Sequence, residues 1–380
     1  MAKKILISAG ETSGDLHAAR LIQEIQKLDD SVEFYGIGGD KMISNGFHAL
    51  YHCNQMAFLG FSEVVRHLPF IAKVKKDIVN FAAKENISTA VMVDYPGFNL
   101  NLSASLKKSG SSLIYYISPQ IWAWRKGRID KIRSRVDKML TILPFEEKIY
   151  KDANVPVEFV GHPLVEEIES YKFITKEELY SKYSLDASKE ILLVLPGSRK
   201  QEIERIFPAI KAGILKVAAK FNLQPVVVCP SSLQNSLNSF LGDSEIKVVN
   251  DNNYDFMKYS RFGIIKSGTS TLEAGLLGLP MIVVYKTSNL TYTLGKKLIS
   301  IDKIALVNIV LEKMLAPELI QNDLNEDKIY SSAAVYLENN SAYDNFKNEL
   351  GKLSEILGKS NAAKRSAEII IGYLNEHQNN

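Results

Sequence analysis

The chain has 380 residues, 46% hydrophobic and 23% charged, with a formal net charge of +3. That length predicts two or three domains with sizeable cores, and the composition is that of an ordinary globular protein. So small a net charge excludes a surface built globally for nucleic acid, and any basic partner surface has to be local.

The first residues, "MAKKILISAGETSGD", start basic, but the apolar run breaks within a few positions, so no secretory signal is expected. "KILISAG" reads as a strand. The stretch after it, "DLHAARLIQEIQKL", puts Ala18, Leu21, Ile22, Ile25 and Leu28 on one helical face. "VEFYGIGG", "TAVMVD", "SLIYYIS", "KMLTILPF" and "VEFVG" are further strands, with helical stretches between most of them. Near-continuous apolar strands suit a parallel sheet covered on both faces. The polar stretch 165–188 is the expected hinge. A second series then begins with "EILLVLPGS" and runs through "PVVVCP", "IKVVND", "FGIIKSG" and "PMIVVYK". Beyond residue 315 the chain is helical and charged, and is expected to pack as helices on one domain or to bridge both. The expected architecture is α/β, with two Rossmann-like, doubly wound parallel-sheet domains facing across a cleft. The expected divisions are residues 1–165, 166–345, and a helical tail 346–380 packing back on a domain. Cys53 and Cys229 form no C-x-x-C pair and read as free thiols of a reducing cytoplasm. The longest uncharged apolar run, "AGLLGLPMIVVY", is too short to span a bilayer.

Ligands of open α/β sheets bind beyond the carboxyl ends of the strands, so the motifs that follow strands carry the chemistry. After the first strand comes "SAGETSGDLH". Gly10 and Gly14 allow a tight turn, Ser13 or Asp15 can cap the next helix, and Glu11, Asp15 and His17 make a ligand loop. It is not G-x-G-x-x-G, which disfavours NAD. In "VDYPGFN", Asp94 ends a strand before a turn at Pro96 and Gly97. A carboxylate there serves either as a general base in the cleft or as a turn former that bonds its own backbone. "LPGSRKQEI" turns at Pro196 and Gly197, offers Ser198 as a cap, and projects Arg199, whose planar fork suits phosphate. "KSGTSTLEAG" opens a helix whose free N–H groups attract anions, with Glu273 one turn in for ribose hydroxyls. Together these two favour a nucleoside-diphosphate ligand. No D-x-D pair, His/Cys cluster or G-x-x-x-x-G-K-[ST] is present, so neither a required metal, another cofactor, nor P-loop chemistry is expected.

"EVVRHLPFIAKVKKDIVNF" mixes Val64, Val65, Leu68, Phe70, Ile71 and Val74 with Arg66, Lys73, Lys75 and Lys76. It reads either as a core-facing helix with solvated lysines or as a basic, apolar surface for an anionic membrane. "SPQIWAWRKGRI" holds both tryptophans, Trp122 and Trp124. Seven basic residues stand against two acidic ones between Arg125 and Lys138. An extended chain would put both rings on one side, and a helix would point them apart.

The strings "ISAGETSGDLH", "MAFLGFSEV", "DYPGFN", "YISPQIWAWR", "LPFE", "VEFVGHPL", "LPGSR" and "SGTSTLEA" resemble, in order, those of the lipid-A-disaccharide synthase family, from residue 5 to about residue 320. The resemblance implies a GT-B glycosyltransferase. Such an enzyme moves 2,3-diacylglucosamine from UDP to 2,3-diacylglucosamine 1-phosphate with inversion, forming a β-1,6 disaccharide and UDP without a metal. It implies Asp94 as the base, with the Glu11, Asp15 and His17 group as the other candidates. It implies Arg199 and Ser198 on the diphosphate, and Ser267, Gly268, Thr269 and Ser270 presenting backbone N–H groups to it. Glu273 would hold the ribose, Asn308 would lie near the sugar, and Trp124 and Arg125 would wall the acceptor. The family more often has Pro where this chain has Val307. The implied place is the cytoplasmic face of an anionic inner membrane, held peripherally, with no nucleic-acid partner and a homodimer left open. A UDP-sugar 2-epimerase or another UDP-sugar GT-B enzyme is the rival reading, and a non-enzymatic nucleotide-sugar binding protein is a second.

Overall fold

A computed structural model describes residues 3–56, 67–122, 127–288, 292–293, 302–359 and 361–378. The chain divides into two compact units, residues 1–166 with 358–380, and residues 167–357.

The first unit is built on seven parallel strands: β1 (Lys3–Ala9), β2 (Val32–Gly38), β3 (Phe47–His52), β4 (Thr89–Val93), β5 (Ser112–Tyr116), β6 (Lys138–Thr141) and β7 (Val157–Phe159). Their order is β3-β2-β1-β4-β5-β6-β7. Alternation along β1 sends Ile5 and Ile7 to one face and Leu6 to the other. On the first face lies the helix Thr12–Leu28, with Ala18, Leu21, Ile22 and Ile25 buried. Leu28, expected on that stripe, is the last residue of the helix and is 47% exposed. The opposite face carries Leu102, Leu106, Val74 and Ile78 from the helices Pro96–Lys108 and Leu68–Lys84.

The second unit has six parallel strands: β8 (Glu190–Leu195), β9 (Leu223–Val228), β10 (Lys247–Val249), β11 (Ser260–Lys266), β12 (Met281–Tyr285) and β13 (Glu318–Ile320). Their order is β10-β9-β8-β11-β12-β13. The twenty-two-residue helix Lys200–Phe221 covers one face through Ile203, Phe207, Ile210 and Ile214.

Two expectations about boundaries need correction. The polar stretch 165–188 is not a free hinge beyond residue 166. Asp255 accepts the Tyr171 hydroxyl (2.7 Å) and the Ile174 amide (2.9 Å), which ties the stretch onto the second unit. The tail has helices in both units, one of the two arrangements expected, but it does not act as one piece from residue 346. The helix Asn340–Gly351 stays with the second unit, where Phe346 packs edge-on against Tyr336 (4.9 Å). Only the helix Ala362–Gln378 returns to the first unit, burying Ala367, Ile370 and Leu374 beside Leu21 and Ile22.

Each sheet reverses strand order once, between β1 and β4 and between β8 and β11. Ligands of doubly wound sheets bind at such switch points. Ala9 pairs with Val93, so Gly10 and Asp94 emerge side by side. Leu195 pairs with Ile265, so Pro196 and Lys266 emerge together.

Candidate active site

At the first switch point the backbone is held in an uncommon shape. Asp94 and Tyr95 have φ of 46° and 47°, the left-handed region, which costs a non-glycine residue about 1–3 kcal/mol. Asn99, fully buried on the next helix, holds it there. Its Nδ2 donates to the carbonyls of Ser8 (3.0 Å), Val93 (3.2 Å) and Asp94 (2.8 Å), and its Oδ1 accepts the Ser8 hydroxyl (2.7 Å). The Tyr115 hydroxyl donates to the same Asp94 carbonyl (2.6 Å). Gly10 is required because a Cβ there would lie 2.3 Å from the Tyr95 ring. Burial pushes the Asp94 carboxyl up to about 6, the Glu11 charge adds to this, and the Tyr95 amide offsets part of it. A carboxylate with that affinity, at a strand end, is suited to take a proton near neutral pH.

The other residues of the "GETSGDLH" loop separate by role. Glu11 occupies the N-cap position of the helix Thr12–Leu28 and is exposed beside Asp94. Ser13 and Asp15, expected as caps, lie inside the first turn instead. The Asp15 carboxylate is spent on structure. It accepts the amides of Gly39 (2.7 Å), Met42 (3.1 Å) and Lys41 (3.1 Å), fixing the start of the short helix Asp40–Ile43. That set of bonds removes it as a base candidate. His17 is driven down to about 4 by burial, then by Arg20 and Lys41, so its imidazole is neutral at physiological pH. Its electrostatic neighbours are Arg20, Lys41 and His162, whereas Asp94 feels Glu11.

The tryptophan motif follows β5. Residues 121 and 122 form a turn, and Trp122 is half-buried with its ring edge-on to Phe145 (5.2 Å). Its Nε1 donates to Glu146 (3.1 Å). Trp124 and Arg125 lie outside the described residues, as do Val64 and Val65. In the basic helix Leu68–Lys84, Val74, Ile78 and Ala82 face the core. Phe70 and Ile71 pack partly against it, Phe70 meeting the Tyr51 ring at 6.0 Å. Leu68 is 52% exposed, Lys73 and Lys76 are exposed, and Lys75 is half-buried. No helix among the described residues is long and apolar enough to cross a membrane.

At the second switch point lies a cavity of about 660 Å³. Ser198, Arg199, Gly268, Thr269 and Ser270, all singled out in the sequence, line it together with Glu202, Lys266, Asn250 and Asn253. Two helices begin at its wall, and no described side chain caps either one. Their first N–H groups are left for an anion. Ser198 does not cap the helix Lys200–Phe221. Arg199 takes the N-cap position, and the Ser198 amide donates to Glu202 (3.0 Å). Gly197, at φ 128°, leaves room for that carboxylate, since a Cβ would sit 2.5 Å from it. Lys266 pairs with Glu202 at 2.9 Å. Burial pushes Glu202 up, but the bond and charge of Lys266 outweigh this and hold it below its usual range.

Three residues expected in this site are placed differently. Ser267 turns away: its amide donates to the Val284 carbonyl (3.0 Å) and its hydroxyl to the Ile304 carbonyl (2.8 Å). Asn308 is fully buried and acts as a bracket. It donates to the Ala316 carbonyl (2.8 Å) and Glu318 (2.9 Å) and accepts the amides of Leu315 (3.0 Å) and Ala316 (2.9 Å). That leaves its amide nothing to offer a sugar. Glu273 is not part of the cavity wall, and burial, then Glu167, pushes it up to about 7.

The sequence reading missed Lys266, Glu202 and Glu146. Lys266 ends a strand next to the switch point, and Glu202 stands four residues after Ser198, so both could have been singled out by position. Glu146 could have been found from Trp122, since a buried indole N–H needs an acceptor.

A sequence model described as lipid-A-disaccharide synthetase matches residues 5–370. Lipid-A-disaccharide synthase of Geobacter sulfurreducens is 36% identical over 98% of this chain and 97% of its own length. The enzyme of that name from Coxiella burnetii is 35% identical over 97% of this chain and 98% of its own. Among solved structures, UDP-GlcNAc 2-epimerase of Neisseria meningitidis, bound to UDP-GlcNAc, aligns with a TM-score of 0.69 at 14% identity, covering 97% of this chain and 100% of that one. The Methanocaldococcus jannaschii UDP-GlcNAc 2-epimerase aligns at 0.60 and 13%, covering 97% and 99%. At such identities the epimerases show the fold alone. A match from residue 5 to residue 370, with relatives 35% and 36% identical over nearly the whole of both chains, is of another order, and this chain belongs to the lipid-A-disaccharide synthetase family.

Proposed function

We propose that the two switch points form the acceptor and donor halves of one inverting glycosyl transfer. The family makes the chain a glycosyltransferase of lipid A biosynthesis. In the proposed reaction Asp94 takes the proton of the acceptor's 6-hydroxyl. The freed oxygen attacks C1 of 2,3-diacylglucosamine on UDP, from the face opposite the diphosphate. As that bond forms, the bond from C1 to the phosphate oxygen breaks, and UDP leaves with the electron pair. Arg199 and Lys266 neutralise the growing diphosphate charge, and the N–H groups at Gly268, Thr269 and Ser270 add to them. The acceptor is 2,3-diacylglucosamine 1-phosphate.

The observation that carries this reading is the pairing of chemistries. A carboxyl raised to about 6 stands at one switch point, and an anion-binding cavity with Arg199 and Lys266 at the other. Both substrates carry acyl chains, so the chain works at an anionic inner-membrane surface. Exposed Leu68 with Lys73 and Lys76 is the patch suited to that contact. An epimerase of UDP-sugars would use the cavity but has no need of such a patch.

Asp94→Ala tests the assignment. Disaccharide formation should fall about 10²- to 10⁴-fold, as loss of a general base does, while UDP affinity stays within about two-fold. Wild-type turnover in that variant would remove Asp94 from the base role.

A further inference from the structure

Glu146 is only 2% exposed, yet it is ionisable and is not in the reaction above. It stands at the third position of the helix Pro144–Asp152, which follows β6. One oxygen accepts the Ser118 hydroxyl (2.6 Å) and the Trp122 indole N–H (3.1 Å). The other accepts the Leu143 amide (3.3 Å). A carboxylate at this helical position usually reaches back to the cap and stays in water. Here it is buried and gathers donors from the neighbouring strand's exit loop.

That loop also touches the base. The strands β4, β5 and β6 are adjacent, and the Asp94 amide donates to the Tyr116 carbonyl (3.1 Å). The Ile117 amide donates to the Leu140 carbonyl (3.1 Å), with Ile117 itself at φ 63°. Residues 116–118 are therefore strapped between Asp94 on one side and Glu146 on the other. We infer that Glu146 is a positioning residue of the acceptor half-site, fixing through Ser118 and Trp122 the strand-end backbone against which Asp94 is held. The inference rests on Asp94 being the base of the proposed transfer.

The protonation state of Glu146 sets how firmly the loop is held. Burial pushes its carboxyl up to about 7, with Ser118, Trp122 and the Leu143 and Ile142 amides pulling the other way. Ionised, it has acceptors for all of these donors. Protonated, one oxygen must itself donate: a proton on Oε2 displaces the Leu143 amide, and the indole, which can only donate, is left with a neutral acceptor and a weaker bond. Among the described residues, the titratable groups facing it are Tyr150 on its own helix and, beyond Tyr150, Tyr115 on β5. Burial raises both phenols, so both stay neutral.

Tryptophan emission of the full chain between pH 5.5 and 8.5 reads this directly. The wild type should shift with a midpoint near 7, and Glu146→Gln should give no shift in that range. Trp122→Phe, which leaves Trp124 as the remaining tryptophan, should also be flat. In steady state at pH 8, Glu146→Gln and Trp122→Phe should each lower kcat for disaccharide formation by about ten-fold, the size expected of a displaced catalytic group, with UDP affinity within about two-fold. A titration that persists in either variant, or wild-type kcat in both, overturns the inference. If the wild-type chain forms no disaccharide, the proposed reaction fails, and the emission titration still decides whether Glu146 holds Trp122.

Discussion

Asp94 combines two costs that a structural aspartate would not need, a left-handed backbone and a desolvated carboxyl. Its folded pKa, about 6, stands above the ordinary 3.8, so ionising it opposes folding. That term is absent at low pH, and stability falls as pH rises from about 4 through 6. Asp94→Asn removes it and keeps a residue type that tolerates the left-handed backbone. The variant should be more stable than wild type above pH 7, by on the order of 2–3 kcal/mol at most, with the gain vanishing near pH 4; thermal melts at the two pH values check this. Activity carries the opposite sign. As the proposed base, Asp94 is competent only when ionised, so kcat/KM should fall about ten-fold per pH unit below pH 6, and a flat profile there would contradict the role. At this scale the sequence was partly legible. Asp94 and Arg199 stand out by type and place. Asp15, Ser267 and Asn308 looked equally suited to ligands and proved to be committed to backbone groups. Short polar side chains after strands both bind ligands and pin loops, and only their partners tell the two apart.

Elements that bury both faces announced themselves as apolar runs, which is why "TAVMV" and "MIVVY" were plain. The edge strands β3 and β13 were not. β3, "FHALYH", exposes three successive residues, and β13 has only three residues in all. The helix Leu68–Lys84 shows why its two readings could not be separated from periodicity. It is core-facing along Val74, Ile78 and Ala82, and it still leaves Leu68 and two lysines exposed. If that exposed set meets a bilayer, Leu68→Ser with Lys73→Glu and Lys76→Glu should release the protein from anionic liposomes. Each lysine near such a surface contributes about 1 kcal/mol, and each reversal costs more than a deletion. Cosedimentation should drop at least ten-fold with the fold intact, and unchanged cosedimentation would reject the patch.

Across the molecule, the restart of the β-α-β pattern near residue 190 made a second sheet readable, because each unit repeats the same alternation. The return of the last helix to the first unit was not readable. Ile370 and Leu374 form an ordinary apolar stripe, and a stripe carries no record of the sheet it will cover. The central claim is that the two switch points serve one transfer, base at one and diphosphate binder at the other. Incubation of the full chain with UDP-2,3-diacylglucosamine and 2,3-diacylglucosamine 1-phosphate, with products read by mass, tests it most directly. The account predicts one disaccharide 1-phosphate for each UDP released, lost in Asp94→Ala and in Arg199→Ala. Release of UDP with free sugar, or a UDP-sugar isomer in place of the disaccharide, would contradict it.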